Sequence, residues 1–578
     1  MVKWIQRKAK IKPRSSDDIR TRILKARGVE EDMMIDFMSP DESWYIDHTL
    51  IRNLERTVKL IMEHVEEGHH IVISGDPDAD GVNSLAIMYN RLKDFKETYD
   101  VGLDYIYAQR DMGHGIHGQL TINPRWHNDE DSQAFIDLVE NNIEKVEKAD
   151  LLIILDSSSN DIAGLEKCKE MNPELDIIIL DHHEFDNLET EKAVCKLATV
   201  VNVQHSKDES PNKDLSGAGV VYKVCKGIDD YVDDEGYSNQ FLDLVAVGLV
   251  GDMMDVMNME NRYLIMQGLM NVNNVGLTRI LKGANINTWK YNTKDIGFTI
   301  APLINSSARM NQIELAIEIL LVETDAEAKP LRLKMHKLNE KRKANQKEIF
   351  DKYKDDIDLS QKIIIIVDEE SNKGFNGLVA QNLSQQFHRP CFVVRDYNGM
   401  CMGSGRSYGN FNTKQFLSEL DWVEASGHNQ SHGLNFPTDK LEDLKEYIEE
   451  NMPDDIEDDI VYYYDVEIDP ENIWEDAEDI EPINMITGRG FPEVTVVARD
   501  VAIDERLVIG KTKETVKFTT DEDLVLIKFK VDEEWNKDID VFDTVSVLGT
   551  VNINVFYNFG TKETTKTPQI QIQSIIKE

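Results

Sequence analysis

Three short apolar runs, Ile71-Val72-Ile73, Leu151-Leu152-Ile153-Ile154-Leu155 and Ile177-Ile178-Ile179-Leu180, each lead straight into acidic residues. Runs this short and unbroken, separated by helical patterns between about residues 50 and 260, predict a doubly wound parallel sheet covered on both faces. In such a sheet the carboxyl ends of the strands open into one crevice. The residues that follow the runs should therefore meet there: Asp76-Pro77-Asp78-Ala79-Asp80-Gly81, Asp156 with Ser157-Ser158-Ser159, and Asp181-His182-His183. A fourth element, 241–252, is apolar along most of its length and ends in Asp252, with Gly248 and Gly251 allowing close packing beside the crevice.

Carboxylates two apart on an extended segment share a face. Clustered in a dry cleft they repel one another unless a cation compensates them, and an all-oxygen donor set suits a hard divalent ion. Adding the His182 imidazole favours Mn²⁺, with Mg²⁺ as the second choice. A calcium loop also begins D-x-D-x-D-G. Here its closing glutamate is replaced by Ile87, and a buried strand precedes the acids. Any one strand-end aspartate could be a helix cap. Caps do not explain why three neighbouring strands all end in potential metal ligands.

At 578 residues the chain should form several domains. An N-terminal segment (1–50) precedes the sheet domain (51–323). A charged helical stretch (324–356), with Leu331, Met335 and Leu338 at helical spacing, connects it to a second α/β unit (357–440) containing Gly374, Gly377, a turn at 404–407 and Gly427. An acidic linker (441–491) follows. The last part (492–578) has candidate strands at 494–497, 524–529, 545–551 and 570–573, as in a small β-barrel. The basic start, with Lys3, Arg7, Lys8, Lys10, Lys12 and Arg14, reads as a frayed tail.

The net charge of -43 argues against a broad nucleic-acid footprint and leaves room only for a local basic groove. Five scattered cysteines without CxxC spacing argue against zinc modules and disulfides. No stretch is apolar enough to span a bilayer, and no secretory signal is seen. The expectation is a cytoplasmic protein.

On these motifs the chain resembles the DHH phosphoesterase superfamily, named for the triplet present here as Asp181-His182-His183, and within it the RecJ-type single-strand-specific exonucleases. Gly75 to Gly81 looks like the first metal motif of that group, and 242–252 with Glu260-Asn261-Arg262 looks like its fourth. Residues 301–305 and Ala308-Arg309-Met310 are similar to the next motif. Gly403-Ser404-Gly405-Arg406-Ser407 and Gly427-His428 through Gly433 resemble the companion DHHA1 lobe.

The resemblance implies two metal ions held by Asp78, Asp80, Asp156, His182 and Asp252, with Asp156 as the bridge and Asp76 as a further ligand or a support. Asp181 would orient a ring, and His183 would face the phosphate. It also implies a 5′-phosphate pocket of Arg309, Ser404, Arg406, Ser407 and His428, and an OB-like tail whose Phe556 and Tyr557 stack on bases. The implied activity is 5′-to-3′ hydrolysis of single-stranded DNA in recombination, repair or replication. The implied partners are single-stranded DNA and a single-strand-binding protein or helicase, and the chain is expected to be a monomer.

Three departures point to a divergent member of phage or mobile-element type. Ser157-Ser158 stand for Asn-Gly, Ser306-Ser307 for two small residues, and Ser426 and His432 for Gly and Ala. Smaller relatives of the superfamily cleave oligoribonucleotides, cyclic dinucleotides or pyrophosphate, but lack the long connector and the OB-like tail. Inactive replication scaffolds keep the fold but lose metal-site acids, which are all present here.

Overall fold

The computed structural model describes residues 2–578 apart from 124–129, 289–290, 356, 370–372, 398, 410, 454–459, 511–512, 521–523 and 559–561. After a short strand β1 (Val2–Gln6) and helix α1 (Ile19–Arg27), the chain builds β2 (His70–Gly75), β3 (Gly102–Tyr107), β4 (Leu151–Leu155), β5 (Asp176–Asp181) and β6 (Thr199–Asn202). These five strands pair in parallel in the order β3-β2-β4-β5-β6.

The unbroken apolar runs are explained by burial on both faces. Ile71, Ile73, Ile153 and Ile178 join one core, while Val72, Leu152, Ile154 and Ile179 join a second on the opposite side. The edge strands β3 and β6 were not legible in the sequence. Strand β3 alternates buried and half-buried residues, and β6 is only four residues long, so neither produces an apolar run.

Helix α2 (Ala79–Lys93) leaves the end of β2, and α3 (Gly217–Tyr231) and α4 (Leu242–Gly251) pack against it on the first core. A π-helical turn, Ile296–Ile300, runs directly into α5 (Ala301–Arg309). Helix α6 (Asp325–Lys354) starts at a reciprocal cap between Thr324 and Glu327. It buries Met335 and Leu338 in the sheet domain's core and Tyr353 in the core of the second lobe, so it is packed at both ends.

The second lobe contains β7 (Ile364–Val367), α7 (Lys373–Phe387), β8 (Cys391–Tyr397), β9 (Met400–Arg406), β10 (Glu424–His428) and β11 (Ser431–Pro437), with sheet order β10-β11-β9-β8-β7. The turn expected at 404–407 is instead the end of β9, where Arg406 pairs with Cys391 on one side and Ser431 on the other. Small residues serve a packing purpose there. A side chain at Gly405 would sit 2.2 Å from the His432 ring, which is buried and shares a hydrogen bond with the Thr413 hydroxyl.

The acidic stretch read as a linker is folded over most of its described length. It forms α8 (Leu441–Asn451), β12 (Ile460–Tyr464), β13 (Val466–Ile468) and α9 (Ile473–Ile483). Apolar residues such as Leu444, Ile448, Ile473 and Ile480 anchor it, so the acid marks the solvent faces of these elements. The N-terminal tail is not frayed either: β1 pairs with β12 from Val2–Ile460 to Gln6–Tyr464.

Strands β14 (Thr495–Ile509), β15 (Thr515–Thr520), β16 (Val525–Phe529), β17 (Thr544–Asn558) and β18 (Glu563–Lys577) join β13 in the order β13-β14-β15-β16-β18-β17, and a β14–β17 pairing closes the barrel.

Candidate active site

Sheet register alone brings the acids together. Ser74 pairs with Ile154 and Leu155 with Leu180. Continuing past these pairs sets Asp76 level with Asp156 and Asp156 level with Asp181. Asp252 arrives from another direction as the residue that ends α4. Close approach depends on glycine at two places. A side chain at Gly217 would lie 2.6 Å from the Asp156 carboxylate, and one at Gly248 would lie 2.3 Å from that of Asp80.

His182 is buried at the centre. Its Nε2 lies 3.2 Å from Asp156 Oδ1, 3.4 Å from Asp252 Oδ2 and 3.8 Å from Asp80 Oδ2. Despite this proximity, Asp156 Oδ1 and His182 Nε2 are both buried without a hydrogen-bond partner. The ligand atoms of Asp80, His182 and Asp252 fall within 4.8 Å of one another, and so do those of Asp156, Asp181, His182 and His183. Burial, then the neighbouring carboxylates, pushes Asp156 well above its ordinary range and Asp252 up to about 8. Asp78 is pushed up to about 6, chiefly by burial and then by Asp76. Buried polar atoms crowded together without hydrogen-bond partners are costly. They are the donor set that a divalent cation needs, so the residues present fit such an ion.

Other acids are committed within the protein. Asp181 accepts from the backbone N–H groups of Ser159, His182 and His183 and from His183 Nδ1 at 2.7 Å. Burial would raise its pKa, but the His183 hydrogen bond and the charges of both histidines hold it below the usual carboxylate range. The same bond raises His183 to about 9, and its ring faces an open pocket of about 360 Å³ that Asp76, Asp156 and Asp181 also line. Asp76 engages His114 Nδ1 at 2.8 Å and the Gly115 N–H at 3.2 Å. Asp78 caps α2 through the Gly81 N–H, and Asp80 accepts from the Gly217 and Ala218 N–H groups at the start of α3. His114 was missed in the sequence, although the Gly113-His114-Gly115 setting beside a strand end was available as a signal.

The Asp156 loop explains a departure noted above. Ser158 has φ of 74°, a left-handed conformation natural to glycine. Its hydroxyl accepts the Ile116 N–H at 3.0 Å, tying the loop to the His114 segment.

A second, positively charged site lies at the other end of α5. Arg309 donates to the Gly374 carbonyl at 2.8 Å in the first turn of α7. Arg406 crosses the same turn, because a side chain at Gly377 would meet its guanidinium at 2.4 Å and Ser404 Oγ at 3.4 Å. Burial, and then the charges of Arg110, Arg342 and Arg406, lowers Arg309 to about 10. Arg110 and Arg342 were not singled out in the sequence. Arg110 lies beside Asp111 and Gln109, which bond Asn311 and Ile313 just after Arg309. Arg342 projects from α6, held by the neutral side chains of Asn339 and Gln346. Among the described residues no ion pair joins these four arginines to a carboxylate.

Ser407, expected on the phosphate, is engaged inside the lobe instead. Its hydroxyl bonds to the Asn429 carbonyl and to Thr413, which fixes the turn after β9. The His428 and Tyr557 side chains lie outside the described residues. Phe556 is exposed on the β17–β18 hairpin.

A sheet that ends in shared acids and an Asp-His-His triplet, joined by a helix to a second lobe with an arginine cluster at the junction, defines a DHH-type phosphoesterase fold. Residues 70–249 match the model of the DHH family, N-terminal domain, and 464–573 match that of the RecJ OB domain. The chain therefore carries a DHH-family domain together with a RecJ-type OB domain. It is 26% identical to the single-stranded-DNA-specific exonuclease RecJ of Bacillus subtilis over 93% of its own length and 65% of that protein's. It is also 26% identical to the putative SPbeta prophage-derived single-strand DNA-specific exonuclease YorK of the same organism, over 96% of this chain and 95% of that one. RecJ from Thermus thermophilus, solved with Mn²⁺, shares the fold with a TM-score of 0.71 at 20% identity, over 97% of this chain and 76% of that one.

Proposed function

We propose that this chain is a metal-dependent exonuclease that hydrolyses single-stranded DNA from its 5′ end and releases 5′-mononucleotides. One observation carries the reading: buried acids with unsatisfied ligand atoms and a carboxylate-free arginine cluster sit at two ends of one short helical run. The first is a donor set for a cation and the second suits an anion. A strand with its terminal phosphate on Arg309, Arg406 and Ser404, flanked by Arg110 and Arg342, would present its first phosphodiester to the acids. The names of the relatives and the manganese-bound RecJ agree with this reading.

Asp80, Asp156, His182 and Asp252, with Asp78 beside them and Asp76 supporting the loop, would hold the ions. When bound, Mn²⁺ or Mg²⁺ would supply an activated water and neutralise charge developing at phosphorus. The residues do the rest. Asp181 holds the Nδ1 proton of His183, which leaves Nε2 of an imidazolium to face the phosphate. The arginines fix the 5′ end in register, and the barrel, with Phe556 on its hairpin, receives the strand beyond. The reading includes a cytoplasmic monomer that meets a single-strand-binding protein or helicase. No helix among the described residues is long and apolar enough to cross a membrane.

The test is digestion of end-labelled single-stranded DNA and RNA with Mn²⁺, Mg²⁺ or chelator, on 5′-phosphorylated and 5′-blocked substrates. Mononucleotides released from the 5′ end of DNA, dependent on the ion, are expected. Cleavage confined to short oligoribonucleotides or cyclic dinucleotides would replace this reading, and binding without cleavage would make the chain a scaffold.

A further inference from the structure

Phe298 is 79% exposed. Single exposed apolar residues are ordinary on protein surfaces, so exposure alone means little; its position does not. It sits in the π-helical turn Ile296–Ile300, and such turns recur at functional sites. That turn is the middle of a continuous helical run from Thr293 to Arg309.

The start of this run is fixed to the segment leading into the barrel. The Thr293 N–H donates to the Met485 carbonyl at 3.1 Å, the Thr487 N–H donates to Thr293 Oγ1 at 2.9 Å, and Lys294 pairs with Glu493 at 2.9 Å. Its centre abuts the acids. A side chain on Gly251, next to Asp252, would touch Ala79 at 3.2 Å and Ala301 at 3.7 Å, and Ala79 stands between Asp78 and Asp80. The end of the run carries Arg309 to the arginine cluster. Along the helix axis, at about 1.5 Å per residue, Arg309 lies roughly 12 Å beyond Ala301 on one side, and Phe298 stands three residues before it on the other.

We propose that Phe298 is the stacking platform for the base just 3′ of the scissile phosphate, between the metal-binding acids and the barrel. This rests on the exonuclease reading above. A strand anchored by its 5′ phosphate at Arg309 passes the acids and must then cross the π-turn to reach the barrel. An uncovered aromatic ring on the turn between the acids and the barrel offers any base a sequence-tolerant contact. The ring stands beside the reacting bond, so it sets the strand's position and touches no reacting atom.

The experiment measures steady-state Mn²⁺-dependent release from 5′-phosphorylated single-stranded DNA carrying one abasic site at nucleotide two, three, four, five or six. For the parent, an abasic site at position two or three should lower kcat/KM about tenfold, the low end for a base on an aromatic ring. Phe298→Ala and Phe298→Leu should lose about the same factor on intact DNA, mostly through KM, and become indifferent to that abasic site. Phe298→Trp should restore both the rate and the sensitivity. The ring is exposed, so the Tm of each variant should stay near that of the parent. If Phe298→Ala keeps the parent's abasic profile, the stacking role is wrong and the exonuclease reading stands. If the parent releases nothing from the 5′ end, both fail together.

Discussion

The two ends of the α5 run are opposites in charge but alike in construction. At one end Asp78, Asp156 and Asp252 have raised pKa values, first through burial and then through neighbouring carboxylates, Asp76 for the first and Asp80 for the other two. At the other, Arg309 is lowered by burial and by three neighbouring arginines. Each end keeps like charges close and leaves them uncompensated, which folding alone would avoid. Two buried charges elsewhere are paired. Lys223 meets Glu260 and the Ile46 carbonyl, and Arg27 meets Asp465 through Nε at 2.9 Å and Nη2 at 2.7 Å. Crowded like charge is what a ligand of opposite sign would relieve, so under the proposed function the two ends should respond to substitution differently from a balanced pair such as Arg27 and Asp465.

The largest effect should come from the acidic end. Asp156→Asn suits the left-handed backbone there, with φ of 57°, because asparagine tolerates that conformation. Removal of one central ligand should cut exonuclease turnover by more than about 10³-fold, beyond the loss of a single oxyanion-hole donor. In chelator-treated protein the same change should leave Tm equal to or above that of the parent, since it removes a crowded carboxylate. A variant that loses Tm while keeping activity would make Asp156 a structural acid.

The balanced pair should behave in the opposite way. Arg27→Ala leaves Asp465 buried with Arg7 at 3.4 Å as its remaining cation among the described residues, beside the Thr495 N–H and hydroxyl, and removes the clasp between α1 and the start of the barrel. The expected cost is about 3 kcal/mol of unfolding free energy by urea denaturation, near the low end for breaking a buried pair. Activity per folded molecule should hardly change. A large drop in turnover without destabilisation would move Arg27 out of the balanced class.

Arg406→Ala should come next. It removes a charge-assisted phosphate contact worth about 1.5–3 kcal/mol, so activity on 5′-phosphorylated DNA should fall roughly 10- to 100-fold. Activity on 5′-blocked DNA should change much less. Equal losses on both substrates would place Arg406 in general strand binding.

The acidic end was legible in the sequence because strand ends have a local signature: a continuous apolar run followed by ligands. His114 had only its flanking glycines as a signal, because its link to Asp76 depends on a loop after the unpatterned edge strand β3. At the arginine end, Arg309 and Arg406 were found only through motifs. Arg110 follows that same edge strand, and Arg342 is one cation among Lys341, Lys343 and Lys347 on a charged helix, where helical phase alone does not say which one turns inward. The acidic stretch misread as a linker failed for a related reason. Charge density dominates its composition, while a few apolar anchors, Leu444, Ile448, Ile473 and Ile480, dominate its packing.

The smallest effect tests whether the arginine cluster extends to α6. Among the described residues Arg342 makes hydrogen bonds only to Asn339 and Gln346, both of them along its own helix. Arg342→Gln keeps a polar side chain of similar reach but removes the charge, so stability should shift by under about 0.5 kcal/mol, as for a surface change. If Arg342 neutralises a phosphate of the bound strand, affinity for single-stranded DNA should fall a few-fold. The slope of log affinity against log salt should also decrease by about 0.7, the increment for one phosphate contact on a single strand. The slope separates the two roles. A purely structural arginine would weaken binding equally at all salt concentrations, whereas a member of the cluster changes how many counterions the strand releases.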